Sequence, residues 1–510
     1  MNRNRDTVDS AAQVGLVSAP PVAPVRTSMG VHYLRYSTAN VLVLMAGLIS
    51  FPVLTRLLDN AEYGVMGYFN TWLMVAVAIA KFGGQHSVTR FYPHDGSPRQ
   101  LEHFSTNLVL LPMLLSLALW TVAASVLVGW QWFGGAEFSA VFWCVVLIIP
   151  VMVVASIVQA VIRASERSSV VMVTKVVGRA LELALVLGFV ILIERSAFAV
   201  YGGRLLAAVL LLGYFVYWVH RYLKFSRAAV DLAAMGTALL YGLPLMANEF
   251  AYMVLQSFDR VLLKGMTGDY AVVGIYTIGY TLAMQVNIFM NHTLWDAFVP
   301  VANRVHGAEG DAAVLALKSR VLLPMTYASF GVAVMLLLVG QDLLVGLSSP
   351  RKAASGAVFV VVGTVMAMYP LFEVAGYGLL LRKRSMLVLG LTFGAAVLNI
   401  GVNFVLIPRY GYMGAAWATV ISYTALAIAT CFFCPRGLRR FPDARTVLTA
   451  GMCALLLFAT VAYTDLFGIN GAWPRVFVAT GLFVLVYALP VLILDPRLRT
   501  ALINWRTTEA

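Results

Sequence analysis

Four charged residues lie inside otherwise apolar stretches of this sequence, where an ionised side chain is costly. Arg179 and Glu182 are three residues apart, which places them on one face of a helix. Arg204 lies in the next apolar stretch, and Glu249 lies in a later one. Ionisable groups in apolar surroundings usually face a cavity or a partner. The functional interpretation of this pattern is a cationic group that lines a cavity, together with a carboxylate that exchanges a proton or binds a cation.

Each of these residues also has a simpler interpretation. Glu182 could form a structural ion pair with Arg179. Arg204 could extend its guanidinium to the membrane surface. Glu249, a lone carboxylate near the middle of its stretch, could be protonated and hydrogen-bonded in the protein core. The residue types and their spacing leave these alternatives open.

The stretches that hold these residues predict an all-α polytopic membrane protein. The chain has 510 residues, of which 61% are hydrophobic and 12% are charged, whereas soluble domains are about 25% charged. About 14 stretches approach the ~20 residues that cross the hydrocarbon core. No long segment is left between them for a soluble catalytic domain.

The net charge of +13 is explained by orientation in a membrane. With the N-terminus in the cytoplasm, most of the 36 Lys and Arg residues fall on the cytoplasmic side of the predicted spans. This distribution predicts an even number of spans and two cytoplasmic termini. Basic residues do not alternate with aromatic ones in a patch, so we expect no nucleic-acid partner.

The sequence offers little support for a metal or a cofactor. Cys431 and Cys434 form a single CxxC, without the second pair or the histidines of a metal site. No GxxxxGK[ST] sequence is present, so nothing indicates a phosphate-binding loop for ATP. We expect no metal site, no cofactor and no catalytic residues.

An internal repeat predicts two similar halves. Arg56 and Gly64 follow the first span, and Asp259, Arg260 and Gly274 follow the seventh in a similar arrangement. Repeats of this kind in transporters are related by an axis along the membrane normal. Arg56, Asp259 and Arg260 would then form a gate or a contact between the lobes. The predicted parts are a disordered cytoplasmic tail (1–30), two six-helix lobes (31–230 and 231–440), and two C-terminal helices with a cytoplasmic end (441–510).

Three stretches carry a resemblance to a known family. Residues 399–419 read NIGVNFVLIPRYGYMGAAWAT, and residues 51–64 read FPVLTRLLDNAEYG. The third is Asp259-Arg260 followed by Val273-Gly274-Ile275-Tyr276. These motifs resemble the polysaccharide-biosynthesis membrane proteins, the Wzx-type flippases of lipid-linked oligosaccharides. The wider group is the multidrug/oligosaccharidyl-lipid/polysaccharide exporter superfamily, and the resemblance extends over residues 31–434. Pro408 and Gly411 favour a tight reversal between two spans, so we interpret the first motif as a packing feature.

The resemblance implies a flippase of the bacterial inner membrane. Its substrate would be an undecaprenyl-diphosphate-linked oligosaccharide for O-antigen of lipopolysaccharide, capsule or exopolysaccharide. Arg35, Arg179 and Arg204 would bind the diphosphate in a cavity between the lobes, which would move by alternating access. Glu249 would couple transport to H⁺ or Na⁺. Membrane lipid and a polysaccharide polymerase machinery would be the other partners.

Two other functions fit the composition less well. A drug or cation antiporter of the same superfamily would favour acidic residues in its cavity, whereas this chain offers more arginines. A membrane-embedded polysaccharide polymerase or ligase would carry a long outer loop with catalytic polar residues. The chain has no such loop, which favours a transporter over an enzyme.

Overall fold

The computed structural model describes residues 29–94, 96–135, 137–463 and 468–500. The tail predicted over residues 1–30 therefore lies almost wholly outside the described residues. Fourteen long helices run through the described part of the chain: α1 Met29–Leu57, α2 Asn60–Ala80, α3 Pro98–Phe133, α4 Ala140–Ala164, α5 Ser168–Leu192, α6 Ala197–Tyr222, α7 Leu232–Ser257, α8 Tyr270–Glu309, α9 Asp311–Leu347, α10 Ala354–Leu381, α11 Ser385–Tyr410, α12 Tyr412–Phe433, α13 Ala444–Tyr463 and α14 Ala472–Leu494. Two shorter helices, Gly84–Phe91 and Asp259–Thr267, follow α2 and α7.

Thirteen of these helices, counted over the described residues, are long and apolar enough to cross a membrane. The exception is α5, which carries Lys175, Arg179 and Glu182 in its 25 residues. This helix packs between α1 and α6, so neighbouring helices surround its polar side chains. The prediction of an all-α polytopic membrane protein is confirmed. The predicted spans, about 14 in number, correspond to α1–α14.

The first six helices pack on one another in the same pattern as the next six. Helix α1 packs on α5, α5 on α6, α2 on α4, and α4 on α6. The same contacts recur as α7 on α11, α11 on α12, α8 on α10, and α10 on α12. Helices α13 and α14 pack on α9, outside this pattern. We call α1–α6 the first lobe and α7–α12 the second lobe; the residue boundaries proposed for them stay predictions.

The segment between the lobes is held by a π-helical turn in α3, over Ser105–Leu110. Such turns often occur at functional sites because they displace a side chain from the regular helix pattern. Here Asn107 donates from Nδ2 to the carbonyl oxygen of Ala229 at 2.7 Å and accepts at Oδ1 from the backbone N–H of Asp231 at 2.7 Å. Asp231 in turn caps α7, so the start of the second lobe is fixed to the first.

The two lobes approach most closely where two glycines meet. A Cβ placed on Gly64 in α2 would lie 1.8 Å from the carbonyl oxygen of Tyr270, and one on Gly274 in α8 would lie 1.8 Å from that of Asn60. Only glycine permits this contact. Gly64 and Gly274 are the residues that the internal repeat pairs. They lie at the end of the bundle where α1 ends and α2 begins, called here the Arg56 end; the opposite end is the Lys81 end.

Candidate functional site

A cavity of about 250 Å³ lies between the two lobes, in the half of the bundle toward the Arg56 end. Its charged lining consists of Arg179 and Glu182 from α5, Arg204 from α6, and Arg260 from the short helix after α7. Among these lining residues, three guanidinium groups face one carboxylate. The cavity therefore favours an anion.

Glu182 joins two of the arginines. Its Oε2 accepts from Nη1 of Arg179 at 3.0 Å, and its Oε1 accepts from Nε of Arg204 at 3.0 Å. Nη1 of Arg204 also donates to Oδ1 of Asn70 in α2 at 3.2 Å. This arrangement requires a close crossing of α5 and α6, which Gly203 allows because a Cβ there would lie 2.7 Å from Cα of Val186.

The structure thus brings Arg179, Glu182 and Arg204 into one cluster, called here the arginine cluster. Arg204 bonds within the protein instead of extending to the membrane surface. The Nε of Arg179 is buried and has no hydrogen-bond partner within the described part of the chain. Since a buried unpaired donor is costly, this atom is suited to an oxygen of a bound anion.

Arg260 reaches the same cavity from the second lobe. Its guanidinium stacks on the ring of Tyr280, 4.7 Å from the ring centre, and Nη1 donates to the carbonyl oxygen of Gln256 at 3.4 Å. Sequence reasoning assigned Arg260 to a gate. Its place in the cavity depends on how α7 and α8 pack, and no sequence pattern indicates this packing.

A second cavity, of about 340 Å³, lies inside the first lobe on the other side of the arginine cluster. Arg179, Glu182 and Arg204 line both cavities. The second cavity extends toward the Lys81 end, where Lys175 and Gln159 line it. The cluster therefore separates two internal spaces at about the middle of the bundle.

Arg35 is not part of this site. Its Nη1 donates to Oγ of Ser168 at 3.3 Å, near the starts of α1 and α5. Arg35 is absent from the lining of both cavities. Of the three arginines expected to bind a diphosphate, the structure places only Arg179 and Arg204 together.

Glu249 is not the lone carboxylate that its sequence context indicates. Its Oε1 lies 2.7 Å from Nζ of Lys81, and its Oε2 accepts from Nε2 of Gln85 at 2.8 Å. Nε2 of His86 is 3.9 Å away. These contacts connect α7 of the second lobe to the segment after α2 of the first. They join the two lobes inside the bundle, because Glu249 lies 17 residues after the start of α7 at Leu232, and the role of Glu249 in ion coupling stays a prediction.

The Arg56 end is closed by a different set of contacts. Arg56 donates from Nε to the carbonyl oxygen of Ser348 at 2.7 Å and from Nη2 to that of Gly346 at 3.0 Å. Lys352 donates from Nζ to the carbonyl oxygen of Leu58 at 2.9 Å. Arg56 therefore lies between the lobes, as a gate or lobe contact requires. Sequence reasoning missed Lys352, which shares this position.

Asp259 has a different environment from its neighbour Arg260. It is fully buried, and its carboxylate accepts hydrogen bonds from the hydroxyl of Tyr276, from Nδ2 of Asn403 at 2.6 Å and from Oγ1 of Thr419 at 2.9 Å. All three partners lie in the second lobe, so Asp259 anchors α11 and α12 instead of facing the other lobe. Residues 399–419 thus supply hydrogen bonds to Asp259 as well as packing.

Comparison with known proteins gives one family and one fold. The model of the polysaccharide biosynthesis protein family matches residues 32–306 of the 510, and no curated protein matches the sequence. The matched stretch confirms the resemblance seen in residues 51–64. It ends before residues 399–419, for which the resemblance stays a prediction.

Many chains in solved structures match this fold, 28 in number, and three of them illustrate the match. The lipid II flippase MurJ, in an inward closed conformation, is 12% identical with a TM-score of 0.69, over 91% of this chain and 99% of that one. An inward-facing multidrug resistance MATE family transporter of the MOP superfamily is 14% identical with a TM-score of 0.61, over 81% and 95%. A MOP superfamily transporter from Pyrococcus furiosus is 14% identical with a TM-score of 0.56, over 81% and 97%.

Proposed function

This chain belongs to the polysaccharide biosynthesis protein family, and we propose that it is a flippase for undecaprenyl-diphosphate-linked oligosaccharides. It would move them from the cytoplasmic to the periplasmic leaflet of a bacterial inner membrane. The observation that supports this most is the arginine cluster at the junction of two cavities. Guanidinium groups bind phosphate oxygens through paired donors, and Arg179 and Arg204 present such donors on one site.

The described conformation is the closed state of this transport cycle. A cavity of about 250 Å³ is smaller than the roughly 300–1,000 Å³ that holds drug-sized ligands. The lobes must therefore separate before an oligosaccharide enters. Arg56 holds the lobes together at one end, and Glu249 holds them together deeper in the bundle on the side of Lys81. Alternate release of these contacts gives alternating access. The lipid tail stays in the bilayer while the head group crosses.

In this proposal the Arg56 end faces the periplasm and both termini face the cytoplasm. An H⁺ or Na⁺ gradient drives the cycle through Glu249. Its protonation releases Lys81 and opens the Lys81 end. A polysaccharide polymerase machinery then uses the product for O-antigen, capsule or exopolysaccharide. A drug or cation antiporter would need an excess of carboxylates in the cavity, and three arginines to one glutamate is the opposite balance.

Deletion of the gene in its own host tests this function. We expect lipid-linked repeat units to accumulate on the cytoplasmic leaflet and the surface polysaccharide to be lost. The wild-type gene should restore the polymer, whereas Arg179→Gln and Arg204→Gln should not, at equal amounts of membrane protein. Arg351→Gln, at an exposed position of the Arg56 end, is the matched control and should restore it. If no repeat units accumulate, or if both cluster variants restore the polymer, the proposal is wrong.

A further inference from the structure

Glu182 occupies the same donors that the proposed substrate needs. Each of its two oxygens accepts a hydrogen bond from a different arginine, at 3.0 Å in both cases. A carboxylate that bridges two guanidinium groups in this way presents two anionic oxygens, as a phosphate group does. In the closed state the carboxylate of Glu182 therefore stands where a phosphate of the substrate would bind.

Bound phosphate and ionised Glu182 cannot share these donors. Two anions within a few ångströms repel each other, and the repulsion is stronger in a partly buried site than in water. When the cavity is empty, by contrast, Glu182 offsets part of the charge of Arg179, Arg204 and Arg260, which would otherwise face one another uncompensated. Glu182 thus stabilises the empty cavity and opposes the loaded one.

We propose that Glu182 is an internal counter-ion that competes with the substrate's diphosphate for Arg179 and Arg204. A diphosphate displaces Glu182 because it offers more oxygens and more charge, and it can also use the unpaired Nε of Arg179. The return of Glu182 then helps to expel the diphosphate. This role deepens the proposed function and rests on it.

The position of the cluster fits this exchange. Because the three residues line both cavities, a diphosphate can approach from one space and leave into the other. A site with arginines alone would hold the diphosphate tightly, and tight binding mainly slows release. The carboxylate of Glu182 lowers the affinity of the arginine cluster for the diphosphate, so that the substrate is released from this site.

Binding of undecaprenyl diphosphate to the full-length protein in lipid nanodiscs tests the proposal. Glu182→Gln keeps the size of the side chain and removes its charge. We expect it to lower the Kd by about tenfold, as expected when one competing charge-assisted hydrogen bond is lost. Glu182→Ser also removes the charge, and it replaces Glu182→Gln in this test if that variant does not fold. Glu182→Asp keeps the charge on a shorter side chain, so its Kd should lie between those of the wild type and Glu182→Gln.

Asp342→Asn is the matched control. Asp342 forms an ion pair with Arg475 at 3.3 Å, and neither residue lines the two cavities. Its Kd should equal that of the wild type. If the wild type binds and loss of the Glu182 charge leaves the Kd unchanged or higher, the counter-ion role is overturned while the proposed function stands. If the folded wild type does not bind undecaprenyl diphosphate, the proposed function fails and the counter-ion role fails with it.

Discussion

Substitution of Gly64 by alanine should hold the Arg56 end of the bundle open. A Cβ at this position would lie 1.8 Å from the carbonyl oxygen of Tyr270 and 2.8 Å from the backbone nitrogen of Gly274. Both are backbone atoms, which cannot rotate away as a side chain can. Ordinary van der Waals contact begins at 3.4 Å. To lengthen the contact between this Cβ and the carbonyl oxygen of Tyr270 to that distance, α2 and α8 must move apart by about 1.6 Å.

The expected size of the effect follows from this clash. Overpacking of a closely packed interface costs about 1–3 kcal/mol, and here the cost falls only on the state in which the lobes touch. A difference of this size changes the ratio of closed to open states by about 5- to 150-fold. The Arg56 contact to Ser348 at this end then forms in a smaller fraction of the molecules than in the unsubstituted protein.

Electron spin resonance distances between labels at positions 61 and 351 in nanodiscs measure this ratio. The unsubstituted protein should show a short distance, and Gly64→Ala should move part of the population to longer distances, with a closed-to-open ratio lowered by about 5- to 150-fold. Gly129→Ala is the control, because its Cβ would have no atom within 4 Å. If Gly64→Ala keeps the short distance, the lobes do not close through these glycines and the reasoning is refuted.

Three further variants test the stability of the contacts described. Lys81→Met leaves Glu249 without its charged partner and should lower stability by about 1–3 kcal/mol; the double variant with Glu249→Gln should regain most of the loss in thermal unfolding. Asn403→Leu removes a donor from a buried carboxylate and should cost a similar amount, whereas an unchanged unfolding midpoint would exclude an anchoring role. The hydrogen bonds of Arg497 lower the pKa of Asp495, just beyond α14. Because the folded pKa lies below the ordinary 3.8, this contribution is present at neutral pH and is lost as the pH falls through the folded value. Asp495→Asn should therefore show a smaller loss of stability between pH 7 and pH 3 than the wild type, and an equal loss would contradict this assignment.

The helices and their repeat could be predicted because they depend on local composition. Apolar length alone identifies thirteen spans in the described residues. Helix α5 fails that criterion because of its charges, but its 25 residues are long enough for a span, and length is what predicted it. The spacing of Arg179 and Glu182 also predicted their pairing, since residues three apart on a helix face the same side.

The contacts between distant helices could not be predicted in the same way. Lys81 and Glu249 are 168 positions apart. In the sequence alone, Lys81 is a charge near a helix end and Glu249 is a charge in an apolar stretch, and nothing indicates that they form a pair. Arg35 was predicted near the start of the first span, but the sequence did not show that this position lies away from both cavities. Asp259 and Arg260 are adjacent, yet they face different surroundings because successive residues on a helix point about 100° apart.

Transport by the purified protein in liposomes tests the central claim most directly. The probe is an undecaprenyl-diphosphate-linked oligosaccharide with a fluorescent head group, and a reductant that cannot cross the membrane quenches the label on the outer leaflet. With wild-type protein and an H⁺ or Na⁺ gradient, we expect the label to move between leaflets, and Arg204→Gln should abolish this movement. If the head group stays in its leaflet with folded wild-type protein under both gradients, the chain is not a flippase for this substrate.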